Sequence, residues 1–144
     1  MSTAVSKNAG TAPTGVTPPG PMPQYNGTLR ILPGTPEVYL VLNSVACWVP
    51  DETTLQNLFT ANPTIVSDPN LDEIKQGPPL TSGAVLAQAN GTALVYLVSN
   101  GVKMWIPNMD IFSAYQFNQQ NIQSVAPVLI DCIPTGPNVD GPTS

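Results

Sequence analysis

The chain has 144 residues, one ordinary domain's worth, with 42% apolar residues but only 9% charged ones, against about 25% in a typical soluble domain. Its net charge of −5 comes from nine acids and four scattered bases, Lys7, Arg30, Lys75 and Lys103, which leaves no surface able to track nucleic-acid phosphates. No run approaches the roughly 18 consecutive apolar residues of a membrane-spanning helix, and the first residues lack the apolar core of a secretory signal.

Residues 1–26 carry Pro13, Pro18, Pro19, Pro21 and Pro23 among Gly, Thr, Ser and Ala. A segment of that composition cannot bury enough surface to fold alone, so it reads as an extended arm, either solvated or docked on a neighbouring subunit. From residue 27 the pattern becomes period-two and β-branched. Strands are expected over residues 27–32, 37–42 and 46–49, the last stopped by Pro50, which has no N–H to donate. A polar cap at Asp51, Glu52, Thr53 and Thr54 then precedes Leu55, Leu58 and Phe59 at helical spacing. Residues 64–67 read as a fourth strand or edge piece, and residues 71–74 as a last turn before the exit at Gly77-Pro78.

The same order of signals then repeats. Val38-Tyr39-Leu40-Val41, Asn43 and Trp48-Val49-Pro50 recur 57 residues later as Val95-Tyr96-Leu97-Val98, Asn100 and Trp105-Ile106-Pro107. After a two-residue insertion the match continues, and both copies close with Asp-x-Ile-x-x-Gly-Pro. The second copy has the better turn signal, Asn100-Gly101, the preferred pair for a two-residue hairpin in which both residues take positive φ. The expected fold class is therefore mainly β with a minor helical share. It has two duplicated units, each an antiparallel three- to four-stranded meander plus one short helix. Half a domain is too small to be comfortable alone, so the units should share one core in a pseudo-twofold or blade-like arrangement. The expected division is an arm over 1–26, unit 1 over 27–80, unit 2 over 84–139 and a tail over 140–144.

The run Val95-Tyr96-Leu97-Val98, Gly101, Trp105-Ile106-Pro107, Phe112 and the exit Ile133-Pro134-x-Gly136-Pro137 resembles accessory repeats of bacterial cell-surface and secreted proteins. That resemblance covers both units. It implies a non-catalytic, outward-facing role with no particular ligand. Copy one departs from the pattern at Ser44, Val49 and Lys75-Gln76, so a repeat-based site is expected to be complete only in copy two.

The chain contains no histidine, the commonest general base and zinc ligand, and no Gly-rich phosphate motif can be written. The adjacent acids Asp51-Glu52 and Asp72-Glu73 read as helix-start residues that complement the helix dipole rather than as a catalytic pair facing across a substrate. Asp68, Asn70 and Asp72 have calcium-loop spacing but lack the Gly and the later Glu of such a loop. No enzyme activity, cofactor or metal is expected. Cys47 and Cys132 occupy non-equivalent repeat positions; free thiols and a disulfide both fit the sequence. Asn26-Gly27-Thr28 and Asn90-Gly91-Thr92 match glycosylation sequons and read as turns.

The remaining candidates are aromatic. One Trp per unit, just before Pro, suits a core plate packed on the Tyr of the preceding strand. If the rings are open, they suit the apolar face of a sugar, with amides reading its hydroxyls. The candidate ligand-binding residues are thus Tyr39, Asn43, Trp48, Tyr96, Asn100 and Trp105. The leading expectation is a non-enzymatic tandem-repeat recognition module for a carbohydrate or cell-surface polymer, gaining avidity from duplication. The alternative is a structural subunit of a virion or extracellular assembly, a decoration or fibre protein whose arm links like subunits in a homo-oligomer. An extracellular or particle-associated setting suits both.

Overall fold

The structure, a computed structural model, describes residues 19–142. The part of the expected arm before residue 19 lies outside the described residues. Unit 1 forms β1 (Leu29–Ile31), β2 (Val38–Leu42) and β3 (Val45–Val49), then α1 (Glu52–Leu58) and β4 (Ile65–Ser67). Unit 2 repeats the order with β5 (Val85–Ala89), β6 (Val95–Ser99), β7 (Val102–Ile106), α2 (Met109–Ala114) and β8 (Gln123–Val125), and adds α3 (Pro127–Asp131). Each unit is a four-stranded sheet, in the orders β3-β2-β1-β4 and β7-β6-β5-β8. The first three strands form the expected antiparallel meander. The fourth extends it differently: the chain passes through the helix and lays β4 parallel to β1, and β8 parallel to β5.

Local chemistry accounts for these elements. Asp51 caps α1 by accepting the Thr54 N–H at 2.8 Å, and Asn108 caps α2 by accepting the Ile111 N–H at 2.9 Å. Both hairpins turn through two residues of positive φ, Asn43 (50°) with Ser44 (78°) and Asn100 (56°) with Gly101 (75°). Both sequon stretches are turns with glycine at positive φ, and the Asn26 side chain is buried, donating to Gly141 O at 3.1 Å.

Period-two alternation sorts each sheet into two faces. Leu40, Leu42, Cys47 and Val49 of unit 1 meet Leu86, Leu97, Met104 and Ile106 of unit 2 in one central core. The units are joined at its middle by an antiparallel bridge between Phe59 and Phe117. Thr60 N–H donates to Gln116 O and Asn118 N–H to Leu58 O, both at 2.9 Å. Equivalent positions of the two copies thus pair with each other, which places the pseudo-twofold axis there. The Phe117 ring stacks on Phe59 and Tyr115, at 5.6 and 5.3 Å between centres, and meets Phe112 edge-on at 5.6 Å. The Gln116 side chain closes the junction by accepting from Thr64 N–H at 2.7 Å and donating to Thr64 O at 3.0 Å.

The outer faces carry smaller clusters. In unit 1, Tyr39, Val41 and Ala46 lie under Leu71 and Ile74, beside Met22 and Tyr25. In unit 2, Tyr96, Ala87 and Ala89 lie under Ile130. The exit segment of each copy then runs along the free edge of its third strand. Gly77 N–H donates to Ala46 O, and Gly136 N–H to Lys103 O. These glycines are required by closeness: a Cβ on Gly77 would stand 2.4 Å from Val45 Cγ2, and one on Gly136 2.8 Å from Val102 Cγ2. The arm is not independent of unit 1 over its last residues, because Gly20 pairs with the exit segment (Lys75 N–H to Gly20 O, 2.8 Å) and Met22 N–H donates to Ser44 O at 2.8 Å.

Two stability measurements check this account. Phe117→Ala removes the ring shared by three aromatic contacts and should cost about 3–5 kcal/mol in denaturant unfolding. Ser44→Gly relieves a non-glycine residue at φ 78° and should raise stability by roughly 1 kcal/mol, since its hydrogen bonds are made by backbone atoms alone.

Candidate functional site

The six sequence-derived candidates fall into two groups. Strand register sets Tyr39 opposite Trp48 and Tyr96 opposite Trp105, with both pairs on the outer faces. The Trp rings are therefore not core plates, because the central core takes the opposite face of each strand. Trp48 is 37% exposed and Trp105 is half-buried, so the more open ring belongs to copy one. Asn43 and Asn100 sit four residues along from the tyrosines, roughly 13 Å away at the strand rise, and cannot read a ligand held on those rings.

The asparagines are clasps between the units. Asn43 Nδ2 donates to Asn138 O, and its Oδ1 accepts the Asp140 N–H, both at 2.8 Å. Reciprocally, Thr81 Oγ1 donates to Asn100 Oδ1 at 2.6 Å and accepts the Asn100 N–H at 2.7 Å. Each exit segment thus stays paired to its own third strand, through Leu80 N–H to Trp48 O and Val139 N–H to Trp105 O, and is gripped alongside by the hairpin turn of the other unit. Tyr115 reinforces the second crossing by donating from its hydroxyl to Asp140 O at 2.6 Å, and burial pushes its phenol well above the ordinary range. The expected tail is therefore partly structural.

Around Trp48 the ring forms one wall of a cleft of about 280 Å³ with Pro36, Glu37, Pro50, Glu52 and Leu55. Asp51 stands at the same rim. Its carboxylate is held below the usual range by hydrogen bonds from the Ser82 and Thr54 hydroxyls, so it is committed to the helix cap and the linker between the units. Glu37 and Glu52 are exposed and sit where unit 2 has Leu94 and Met109, which are 41% and 49% exposed. The same backbone position is thus a polar aromatic cleft in unit 1 and an apolar surface in unit 2. The chain's charge pattern hid this difference, because it shows only when the repeats are superposed around the Trp.

The other sequence candidates for chemistry resolve simply. Asp68 is engaged on both oxygens, by Arg30 Nη1 at 2.7 Å and by the Asn70 N–H at 2.8 Å, so the calcium-like spacing is used for an ion pair and a turn. Arg30 also lies 4.0 Å from the centre of the Tyr25 ring, tying the end of the arm to β1. No cluster of three or more His, Cys, Asp or Glu side chains occurs among the described residues. Both cysteines are free, Cys47 buried and Cys132 exposed, and burial pushes the Cys47 thiol up to about 11. In comparisons with protein-family models, curated proteins and solved structures, nothing matches this chain.

A thiol-reactive disulfide reagent at pH 8 should titrate one thiol of the native protein, Cys132, and the second only on unfolding. Cys132→Ser should abolish the native signal, whereas Cys47→Ser should leave it unchanged.

Proposed function

We propose that the protein is a non-enzymatic recognition module that binds a neutral carbohydrate in the Trp48 cleft of unit 1. The observation that carries this reading is a Trp48 side chain 37% exposed in a cleft whose rim bears the exposed carboxylates Glu37 and Glu52, which make no ion pair among the described residues. The apolar C–H face of a sugar ring stacks on such a surface, and carboxylates accept from its hydroxyls. The chain's net charge of −5 disfavours an anionic polymer. The resemblance of the repeat to accessory modules of cell-surface proteins supports the non-catalytic, outward-facing part of this reading and no particular ligand.

The alternative is a structural subunit of a virion or extracellular assembly. One observation favours it: Leu94, Met109, Val128 and Leu129, four of the six exposed large apolar side chains among the described residues, all lie on unit 2. Surfaces of that kind suit contact with a like subunit.

Binding of the full chain to an array of neutral glycans tests the first reading. Trp48→Ala should abolish retention and the pair Glu37→Gln, Glu52→Gln should weaken it, with Trp105→Ala near wild type. No retention on any glycan, or retention indifferent to Trp48→Ala, sinks the reading. Light scattering tests the second: it requires a defined oligomer that Leu129→Glu converts to a monomer.

A further inference from the structure

The outer faces differ at a second repeat position, and the difference defines a site. In unit 2, Lys103 points into its own outer cluster and is only 8% exposed. Its ammonium donates to Ile130 O at 2.9 Å and lies 5.3 Å from the centre of the Tyr96 ring. Unit 1 has the same framework, with Tyr39 for Tyr96, Leu71 for Ile130 and Asp72 for Asp131, and the same pairing of the third strand with the exit segment, Ala46 with Gln76 against Lys103 with Thr135. The lysine is replaced by Ala46. In place of a lysine side chain, unit 1 has a cavity of about 260 Å³ lined by Tyr39, Ala46, Leu71 and Ile74, with Glu37 and Asp72 at the rim.

We propose that this cavity is a binding socket for a primary alkylammonium group. The alkyl chain takes the path that the Lys103 methylenes take in unit 2, between Tyr39 and the Leu71–Ile74 segment. The ammonium reaches the Leu71 carbonyl, which accepts the Ile74 N–H and keeps a second lone pair, and it lies over the Tyr39 ring. Unit 1 also provides a charge that unit 2 does not, since Glu37 stands where unit 2 has Leu94. A ligand ammonium therefore meets two rim carboxylates in addition to the contacts that satisfy Lys103. The ligand is a free primary alkylamine, because a polypeptide lysine on this path would bring its own backbone onto buried Ala46. A neutral head group of the same length would leave the charge of the carboxylates uncompensated, and an anionic one would be repelled by it. This inference is separate from the glycan reading, because the socket and the Trp48 cleft have only Glu37 in common.

The test is a titration of the full chain with n-butylamine hydrochloride at pH 7, followed by amide NMR shifts, with n-butanol as the uncharged control. The expected result is saturable shifts confined to Tyr39, the Leu71–Ile74 segment and Gln76, absent with butanol. Ala46→Lys should fold with its own side chain in the socket and lose those shifts. Ala46→Met fills the same space without charge and should lose them too, which covers a failure of the lysine variant to fold. Asp72→Asn, at an exposed position, should weaken binding by roughly two- to fivefold. An acetyl-lysine-amide probe, whose backbone has no room at Ala46, should bind more weakly than butylamine, and equal or tighter binding overturns the proposed alkyl path. Shifts no larger than those from butanol, or saturable shifts that survive in both Ala46 variants, overturn the proposal. Loss of glycan binding in Trp48→Ala has no bearing on it.

Discussion

The antiparallel bridge between Phe59 and Phe117 is the constraint on which the rest of the structure depends. Each unit is a four-stranded sheet with one apolar face and about half a domain's chain, too little to bury that face alone. Pairing equivalent residues across a pseudo-twofold axis turns the two faces toward each other, and the aromatic cluster around Phe117 fills the seam. The hydrogen-bond crossings then follow from the symmetry. Each exit segment runs along its own third strand beside the other unit, and Asn43 and Asn100 hold it from that side. The linker and the tail are therefore equivalent devices, although one joins the units and the other comes near the end of the chain.

A shared core frees the outer faces to diverge. The central face of the meander strands packs against the other unit, so substitutions there are limited by volume. Outer positions are covered by smaller clusters and in part by solvent, and three matched pairs differ there: Glu37 against Leu94, Ala46 against Lys103, and Glu52 against Met109. Unit 1 is aromatic and acidic on this face, while unit 2 is apolar and fills its own socket with a lysine. Duplication has thus produced two different surfaces on one backbone rather than two copies of one site.

Most of the architecture was legible in the chain. The offset of 57 residues, the Asn-containing turns, the stops at Pro50 and Pro107 and the polar caps at Asp51 and Asn108 are local signals, and each local structure formed where its signal stood. The parallel placement of β4 and β8 was not legible, since short strands carry no mark of their partner. Phe117 carries no such signal either, because it lies in a run of Gln and Asn whose polarity conceals one buried ring. Asn43 and Asn100 stand near Tyr and Trp in sequence, but a strand separates residues at about 3.4 Å per position, so nearness along the chain does not bring them to one ligand.

The sequence by itself determined the duplication, the strand order within each meander, the turns and the sharing of one core, because these follow from periodicity, φ preference and the size of a half-domain. Only the tertiary structure decided which face of each hairpin turns inward. Alternation specifies two faces but does not label them, and both carry large side chains here, Leu40 and Leu42 on one, Tyr39 and Trp48 on the other. Docking across the pseudo-twofold axis buries the aliphatic face of both units together, which turns the Tyr and Trp rings outward and makes Trp48 and the cavity beside Ala46 surfaces that a ligand can reach.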